Sequence, residues 1–263
     1  MFWLMYLLTG AFIGILAGLF GVGGGIIVVP MLAFLFTLQQ FPEGYILHLA
    51  LGTSLATIAF TSVSSFRSHH ARGAVLWPVV RIITPGILCG TFLGTWVAAQ
   101  LSSRLLSIMF MLFIFYVAAR MFLNVRPQPK HTLPGTVGMF GMGTLIGGIS
   151  SLVGIGGGSL SVPFLIRSNQ PVYSAVGTSA AIGFPIALAG SIGYLLNGLA
   201  TPGLPQWSLG FIYVPALVGI AFASVLTAPL GVRLAHSLPV ERLKKLFAVF
   251  LLLMGIRMLL GFL

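Results

Sequence analysis

The sequence predicts an all-α, polytopic integral membrane protein built from two repeats, and three observations lead to this fold class. First, 58% of the 263 residues are hydrophobic and only 6% are charged, whereas a soluble domain carries about 25% charged residues. Second, the apolar runs reach the length of about 20 residues that a transmembrane helix needs, without the alternation of a barrel strand. Third, one glycine-rich phrase occurs in both halves of the chain.

The repeated phrase defines the two halves. Residues 17–30 read AGLFGVGGGIIVVP, and residues 150–163 read SSLVGIGGGSLSVP. Each phrase is followed by a Gly-Thr-Ser motif, at 52–54 and at 177–179. The shared order of glycines, proline and Gly-Thr-Ser favours duplication over a chance resemblance between apolar helices. Glycine-rich breaks at corresponding places in two hydrophobic halves are typical of transporter binding sites.

The predicted helices follow from the apolar runs and from the residues that interrupt them. In each half a glycine cluster separates a long run from a short one, and three long runs come after it. A polar, proline-containing connector at 127–134 separates the first repeat, 1–126, from the second, 135–263. The predicted helices cover approximately 3–20, 26–37, 45–66, 74–98, 104–123, 135–153, 159–167, 172–197, 208–234 and 241–262.

The positions of the basic residues indicate whether each glycine cluster turns the chain back. If the helices continued through the glycines, the 13 lysines and arginines would divide seven to six between the two sides of the membrane. If the chain reverses there, they divide eleven to two, which is the bias that cytoplasmic loops show. We therefore predict hairpins, with both termini on the non-cytoplasmic side.

Each half then contains an odd number of helical segments, so the second repeat enters the membrane with the opposite orientation. After Gly25 the returning arm has about 11 residues and spans about 16 Å, which is too short to cross the hydrocarbon. The prediction is two inverted repeats, each with a re-entrant glycine-rich helical hairpin and three transmembrane helices. Irregular backbone at that depth requires surrounding protein or a polar cavity.

The glycine clusters form the first part of the candidate substrate site. Glycine allows positive φ and close approach of a ligand to the backbone. A helix that begins there presents unpaired N–H groups and the positive end of its dipole, which attract an anion. The alternative is that the glycines only allow close helix packing. The candidate residues are Gly23, Gly24, Gly25, Gly156, Gly157, Gly158 and Ser159.

The Gly-Thr-Ser motifs form the second part of the candidate substrate site. Thr53 and Ser54 in the first half, and Thr178 and Ser179 in the second, offer hydroxyl groups that bind an anion without adding a fixed charge. The alternative is that these hydroxyls bond to the backbone of their own helices.

The scarcity of acidic residues also bears on function. The chain contains only Glu43 and Glu241, and neither lies in an apolar run. This disfavours a proton or sodium relay through an intramembrane carboxylate and suits an anion better than a metal cation. No metal-ligand spacing and no nucleophile–base pair is present, so we expect no metal, no cofactor and no enzymatic activity. The net charge of +11 follows from the positive-inside rule and does not require a nucleic-acid partner.

The repeated phrase with its proline and the Gly-Thr-Ser motif resembles the sulfite exporter TauE/SafE family of membrane permeases, from Gly10 to about Leu260. This resemblance implies a secondary transporter of sulfite, a sulfonate, sulfoacetate or a related small anion in the bacterial inner membrane. A passive anion channel and a non-transporting membrane assembly protein are the alternatives. The anion, the direction of transport, the coupling ion and the oligomeric state stay open. Because Ser159 stands where the first half has Ile26, we do not expect symmetric contacts to the substrate.

Overall fold

The computed structural model describes residues 2–20, 24–123, 132–237 and 240–260. Gly23 and most of the predicted connector lie outside these residues. A short 3-10 turn at Glu43–Tyr45 precedes the third helix. In chain order the elements are α1 (Phe2–Phe20), α2 (Gly25–Leu38), α3 (Ile46–Ala71), α4 (Trp77–Gln100), α5 (Ser103–Phe122), α6 (Thr136–Val153), α7 (Gly158–Arg167), α8 (Val172–Gly198), β1 (Ser208–Leu209), β2 (Ile212–Tyr213), α9 (Val214–Ser237) and α10 (Val240–Leu260).

Five of the described helices are long and apolar enough to cross a membrane: α3, α4, α5, α6 and α8. Shorter apolar stretches lie in α1, α2, α9 and α10. These elements confirm the prediction of a polytopic, helical membrane protein. With ten residues, α7 spans about 15 Å and is too short to cross the hydrocarbon.

Two pairs of helices pack closely and run in the same direction. α1 lies along α9, and α4 lies along α6. Glycines on one helix of each pair touch the backbone of the other, because small residues let two membrane helices approach each other closely. The contacts that fix the directions are Gly10 with Ile220, Gly14 with Ser224, Gly86 with Phe140 and Gly90 with Thr144. Thus the first helix of each half packs against the fourth helix of the other half.

The third helices of the two halves, α3 and α8, pack against each other in opposite directions. A Cβ on Gly52 would lie 3.0 Å from the Cβ of Tyr194, and a Cβ on Gly190 would lie 2.7 Å from Cδ1 of Leu55. Residue numbers therefore rise along α3 as they fall along α8. Antiparallel directions for corresponding helices agree with inverted repeats, and the inversion stays a prediction.

The first hairpin is visible in a contact between its ends. Gln39, at the end of α2, donates a side-chain hydrogen bond to the hydroxyl of Tyr6, which lies near the beginning of α1. The chain therefore reverses direction between α1 and α2. Pro30 lies inside α2 and Pro163 lies inside α7.

The predicted helix at 208–234 is wrong at its start. Residues 208–213 form a small antiparallel pair, with Ser208 opposite Tyr213, and α9 begins at Val214. Trp207 and Gly210 have φ values of 69° and 54°, which a right-handed helix does not accommodate. The apolar character of this segment reflects burial and not helix.

Candidate functional site

The tips of the two hairpins touch each other. A Cβ added to Gly25, the first residue of α2, would lie 2.7 Å from the carbonyl oxygen of Gly154 and 2.9 Å from the Cα of Ile155. The side chain of Ile58 lies against both tips, since a Cβ on Gly25 would be 2.7 Å from it and one on Gly156 would be 3.0 Å. Ile58 is in the middle of the 26-residue α3. The tips therefore meet midway along this long transmembrane helix.

Each returning arm begins at a glycine that has left-handed backbone geometry. Gly24 precedes α2 with φ 70°, and Gly157 precedes α7 with φ 76°. A side chain at such a φ is strained, which explains why both positions are glycine. Neither helix has a side-chain N-cap. The first described backbone hydrogen bonds of the two arms are donated by Ile27 to Gly24 and by Leu160 to Gly157.

The amide groups that precede these bonds have no acceptor within their own helix. In the first hairpin these are the amides of Gly25 and Ile26, and in the second those of Gly158 and Ser159. The positive end of the α2 dipole and the tip that leads into α7 thus lie beside the same side chain, Ile58, while the carbonyl of Gly154 at the end of α6 lies against Gly25. Such an arrangement attracts a negatively charged group.

The two tips differ in exposure. Residues 24–30 of the first hairpin are buried, including Ile26. In the second hairpin, Gly158, Ser159 and Leu160 are half-buried. The hydroxyl of Ser161 donates to the carbonyl oxygen of Gly157 at 2.7 Å. The second hairpin is therefore the one whose first turn can be reached from outside the protein.

The threonines of the Gly-Thr-Ser motifs bond to the opposite half of the chain. The hydroxyl oxygen of Thr53 accepts a hydrogen bond from the backbone N–H of Tyr213 at 2.9 Å. The hydroxyl oxygen of Thr178 accepts one from the backbone N–H of Leu76, also at 2.9 Å. Both donors lie just before the fourth helix of their own half. The two threonines thus make corresponding contacts between the repeats.

The serines of the two motifs have different surroundings. The hydroxyl of Ser54 donates to the carbonyl oxygen of Gly154 at 2.9 Å, which joins α3 to the tip of the second hairpin. The hydroxyl of Ser179 is buried and has no hydrogen-bond partner in the described part of the chain. Ser179 lies one turn from Gly183, where an added Cβ would be 2.8 Å from the carbonyl oxygen of Gly156. An unpaired hydroxyl therefore lies next to the region where the hairpin tips meet.

The charged side chains that the structure describes lie toward the two ends of the bundle, away from the hairpin tips. Tyr173, near the beginning of α8, donates a hydrogen bond to the carbonyl oxygen of Arg72, just after α3, so these helix ends share one end of the bundle. We call this the basic end. Among described side chains, it holds Arg67, Arg72, Arg81, Arg120, Arg167 and Lys245. Arg104 and Arg257 lie toward the other end, where α3 and α5 begin side by side through Leu47 and Ser103.

Metal ligands do not cluster in the described residues: no group of three or more His, Cys, Asp or Glu side chains could hold a metal ion there. Glu43 lies in the turn before α3, outside the region of the tips. The region where the tips meet is lined by backbone amides, glycines, aliphatic side chains and hydroxyl groups. This chemistry suits an anion that is bound through hydrogen bonds.

Several residues of this region do not stand out in the sequence. Ile58 lies between the tips, and the segments that contain Leu76 and Tyr213 hold the threonines of the opposite half. Ile58 gives no signal, because an isoleucine in an apolar helix is ordinary. The two segments were hidden by the prediction itself, because Leu76 and Tyr213 lie inside the predicted helices 74–98 and 208–234, whereas the observed helices begin at Trp77 and Val214.

The comparisons with known proteins agree with this architecture. A family model described as "Sulfite exporter TauE/SafE" matches residues 6–258. A "probable membrane transporter protein" of Haemophilus influenzae is 39% identical, with 98% of each chain covered. A protein of the same description from Methanocaldococcus jannaschii is 28% identical, over 97% of this chain and 95% of its own. No solved structure matches the chain. The chain belongs to the TauE/SafE sulfite exporter family and is a multi-pass membrane protein of a transporter family.

Proposed function

We propose that this protein is a secondary transporter of a small sulfur-containing anion, such as sulfite, a sulfonate or sulfoacetate, and that the hairpin tips bind this anion. The observation that carries the proposal is that two glycine-rich tips, each followed by a helix N-terminus without a side-chain cap, lie against Ile58 midway along α3. A bound anion would accept hydrogen bonds from their free amides and would be favoured by both dipoles.

The proposed site draws unequally on the candidate residues. The backbone around Gly24 and Gly25 contributes from a buried arm, whereas Gly156–Ser159 contribute from the more accessible one. Ser179 supplies the unpaired hydroxyl. An anion oxygen is the natural partner for this hydroxyl, because a buried donor without an acceptor is unfavourable.

The class of anion is taken from the family description, "Sulfite exporter". Sulfite and sulfonates are small and carry several oxygens around one sulfur, so they can accept hydrogen bonds from both tips and from a hydroxyl together. Export is the direction that the same description suggests for this chain.

Alternating access is the proposed mechanism. The antiparallel packing of α3 with α8 and the exchanged packing of first and fourth helices support two inverted repeats around a central site. In such transporters one repeat moves against the other around a fixed site. The collection of basic side chains at one end supports a cytoplasmic position for that end in the bacterial inner membrane, with both termini on the other side.

The test is transport by purified protein in liposomes. Vesicles loaded with unlabelled sulfite should transiently concentrate external radiolabelled sulfite above its equilibrium level, because a carrier exchanges one anion for another. Flux without this counterflow would indicate the passive channel. Absence of flux for sulfite, taurine, sulfoacetate and acetate alike would instead favour the assembly protein.

A further inference from the structure

We propose that Thr53 and Thr178 are gate residues, each of which closes one of the two entrances to the site by holding a segment of the opposite repeat. This inference rests on the proposed transport function. It assigns the two threonines to the opening and closing of the site, and it leaves the binding of the anion to the hairpin tips and Ser179.

Each gate has two contacts of the same kind. Thr178 accepts the N–H of Leu76, while the preceding Gly177 lies so close to Ala74 that an added Cβ would be 2.7 Å from its carbonyl oxygen. Thr53 accepts the N–H of Tyr213. The glycine before it, at position 52, touches the carbonyl oxygen of residue 211 in the same manner. A Gly-Thr pair thus holds an extended segment by one close backbone contact and one hydrogen bond.

The two gates lie on opposite sides of the site. Thr53 precedes Ile58 by five residues on α3, and Thr178 precedes Gly183 by five residues on α8. Ile58 and Gly183 both touch the hairpin tips, and five residues of helix correspond to about 7.5 Å. Because α3 and α8 are antiparallel, Thr178 lies toward the basic end and Thr53 toward the other end.

The segments that the threonines hold are short extended connections and can move without unfolding a helix. Leu76 comes immediately before α4, and Tyr213 immediately before α9. Each N–H is satisfied by a threonine of the other repeat, so relative movement of the repeats must break the bond. Water entering through the opened side would then solvate the freed N–H.

The gates differ in how firmly they are built. Tyr213 packs its ring within 6.1 Å of Tyr6, 5.6 Å of Phe36 and 5.0 Å of Phe41, and the strand pair braces it. The segment at the basic end holds only small and aliphatic residues, Ala74 and Val75, before Leu76. This end is joined across the repeats by the hydrogen bond from Tyr173 to the carbonyl oxygen of Arg72, so the two gates are held by different kinds of contact.

Hydrogen exchange of the purified protein without any anion tests the gates directly. Thr178→Val keeps the shape of the side chain and removes the acceptor. It should raise amide exchange in residues 74–77 at least tenfold and leave residues 211–214 within twofold. Thr53→Val should produce the reverse pattern. The matched controls Thr178→Ser and Thr53→Ser retain the hydroxyl and should restore slow exchange.

Thiol labelling adds a readout of access. In a Cys89→Ser background, which removes the exposed native cysteine, Ser159→Cys should react faster from the basic end when Thr178→Val is present. Gly177→Ala, which presses on Ala74 from the adjacent position, should open the same side if the valine variant does not fold. Equal changes at both segments, or none at either, would overturn the proposal.

The gate role is separable from the binding of the anion. In a thermal-shift titration with sulfite, both valine variants should keep their apparent Kd within about twofold while turnover in liposomes falls. A large increase in Kd would make the threonines ligands and would overturn the gate assignment. If no anion binds even to the unaltered protein, the proposed function fails and the gate assignment with it, and local exchange at one segment would then show only that the threonine holds that segment.

Discussion

The two hairpins share a backbone plan and differ in their side chains. Both arms begin at a left-handed glycine without a side-chain cap. The first arm continues for 14 residues and is buried over its opening turns, whereas the second has ten residues and is half-buried at its beginning. Serines at 159 and 161 stand where the first arm has Ile26 and Val28.

This comparison separates the features that the two hairpins share from those that differ between them. The positive φ and the free amides belong to the backbone, and both halves have them. The side chains decide which tip is sealed by aliphatic packing and which is partly exposed. We infer that the first hairpin supports the proposed site and that the second forms its partly exposed wall.

The largest expected effect on stability concerns the backbone geometry that the two hairpins share. Gly24→Ala and Gly157→Ala each force a side chain into left-handed geometry, which costs about 1–2 kcal/mol. Gly157→Ala additionally presses on Ile186. Thermal unfolding in detergent should therefore show a loss for both variants, larger for Gly157→Ala.

Gly44→Ala is the matched control for these substitutions. Gly44 has no positive φ, and nothing lies within 4 Å of an added Cβ, so its stability should stay within about 0.5 kcal/mol of the unaltered protein. If Gly24→Ala behaved like this control, the two hairpins would not share the same strained turn.

The second prediction separates the two serines of the Gly-Thr-Ser motifs. Ser179→Ala removes a buried hydroxyl without a partner, so stability should hold or rise. The same variant should weaken sulfite binding at least tenfold, because a hydrogen bond to a charged group contributes about 1.5–3 kcal/mol. Sulfite titration followed by thermal shift measures both quantities.

Ser54→Ala is the contrasting variant. It removes the hydrogen bond to Gly154 and leaves a buried carbonyl unpaired, which costs about 1 kcal/mol. Its loss should therefore be seen mainly in stability. Equal affinity losses for the two variants would mean that the serines act alike and that the asymmetry of the site lies elsewhere.

Much of the fold follows from the sequence because composition and repetition report on it directly. The apolar runs located the helices, and the glycine phrase located the reversal that Gln39 and Tyr6 make visible. The segment at 208–213 could not be placed in the same way. Phe211 and Ile212 in this segment are buried, with Phe211 against Gly52 of α3, and apolar burial does not distinguish a short strand from a helix.

For the candidate site, the backbone geometry of the glycine tips was predictable from the sequence, whereas the partners of the hydroxyl groups were not. A glycine cluster before a helix implies free amides wherever it occurs. Four hydroxyls in two identical motifs gave no reason to separate them, yet Ser54 binds Gly154 and Ser179 is unpaired. That distinction depends on which backbone atom the other half places beside each hydroxyl, and only the packed structure decides it.

The smallest expected effect concerns a contact between α10 and the first hairpin. The guanidinium of Arg257 on α10 lies 3.5 Å from the ring centroid of Phe34 on α2. The corresponding arginine, Arg120 on α5, instead bonds to Tyr116 of its own helix at 3.1 Å. In the second hairpin Arg167 stands at the position that corresponds to Phe34. Because Arg120 and Arg167 are both positively charged, they do not form the corresponding attraction.

Arg257→Met retains length and apolar contact and removes the cation. Because an exposed cation–π contact contributes about 0.5–1 kcal/mol, thermal unfolding should show a small loss for this variant. Arg120→Met should show a smaller loss, since it does not touch a hairpin arm. Adding Phe34→Leu to Arg257→Met should cause little further loss of cation–π stabilisation, because the two residues form a single interaction. Fully additive losses of stability for the two substitutions would show that α10 does not stabilise the first hairpin through this contact. The greater burial of that hairpin would then depend on aliphatic packing alone.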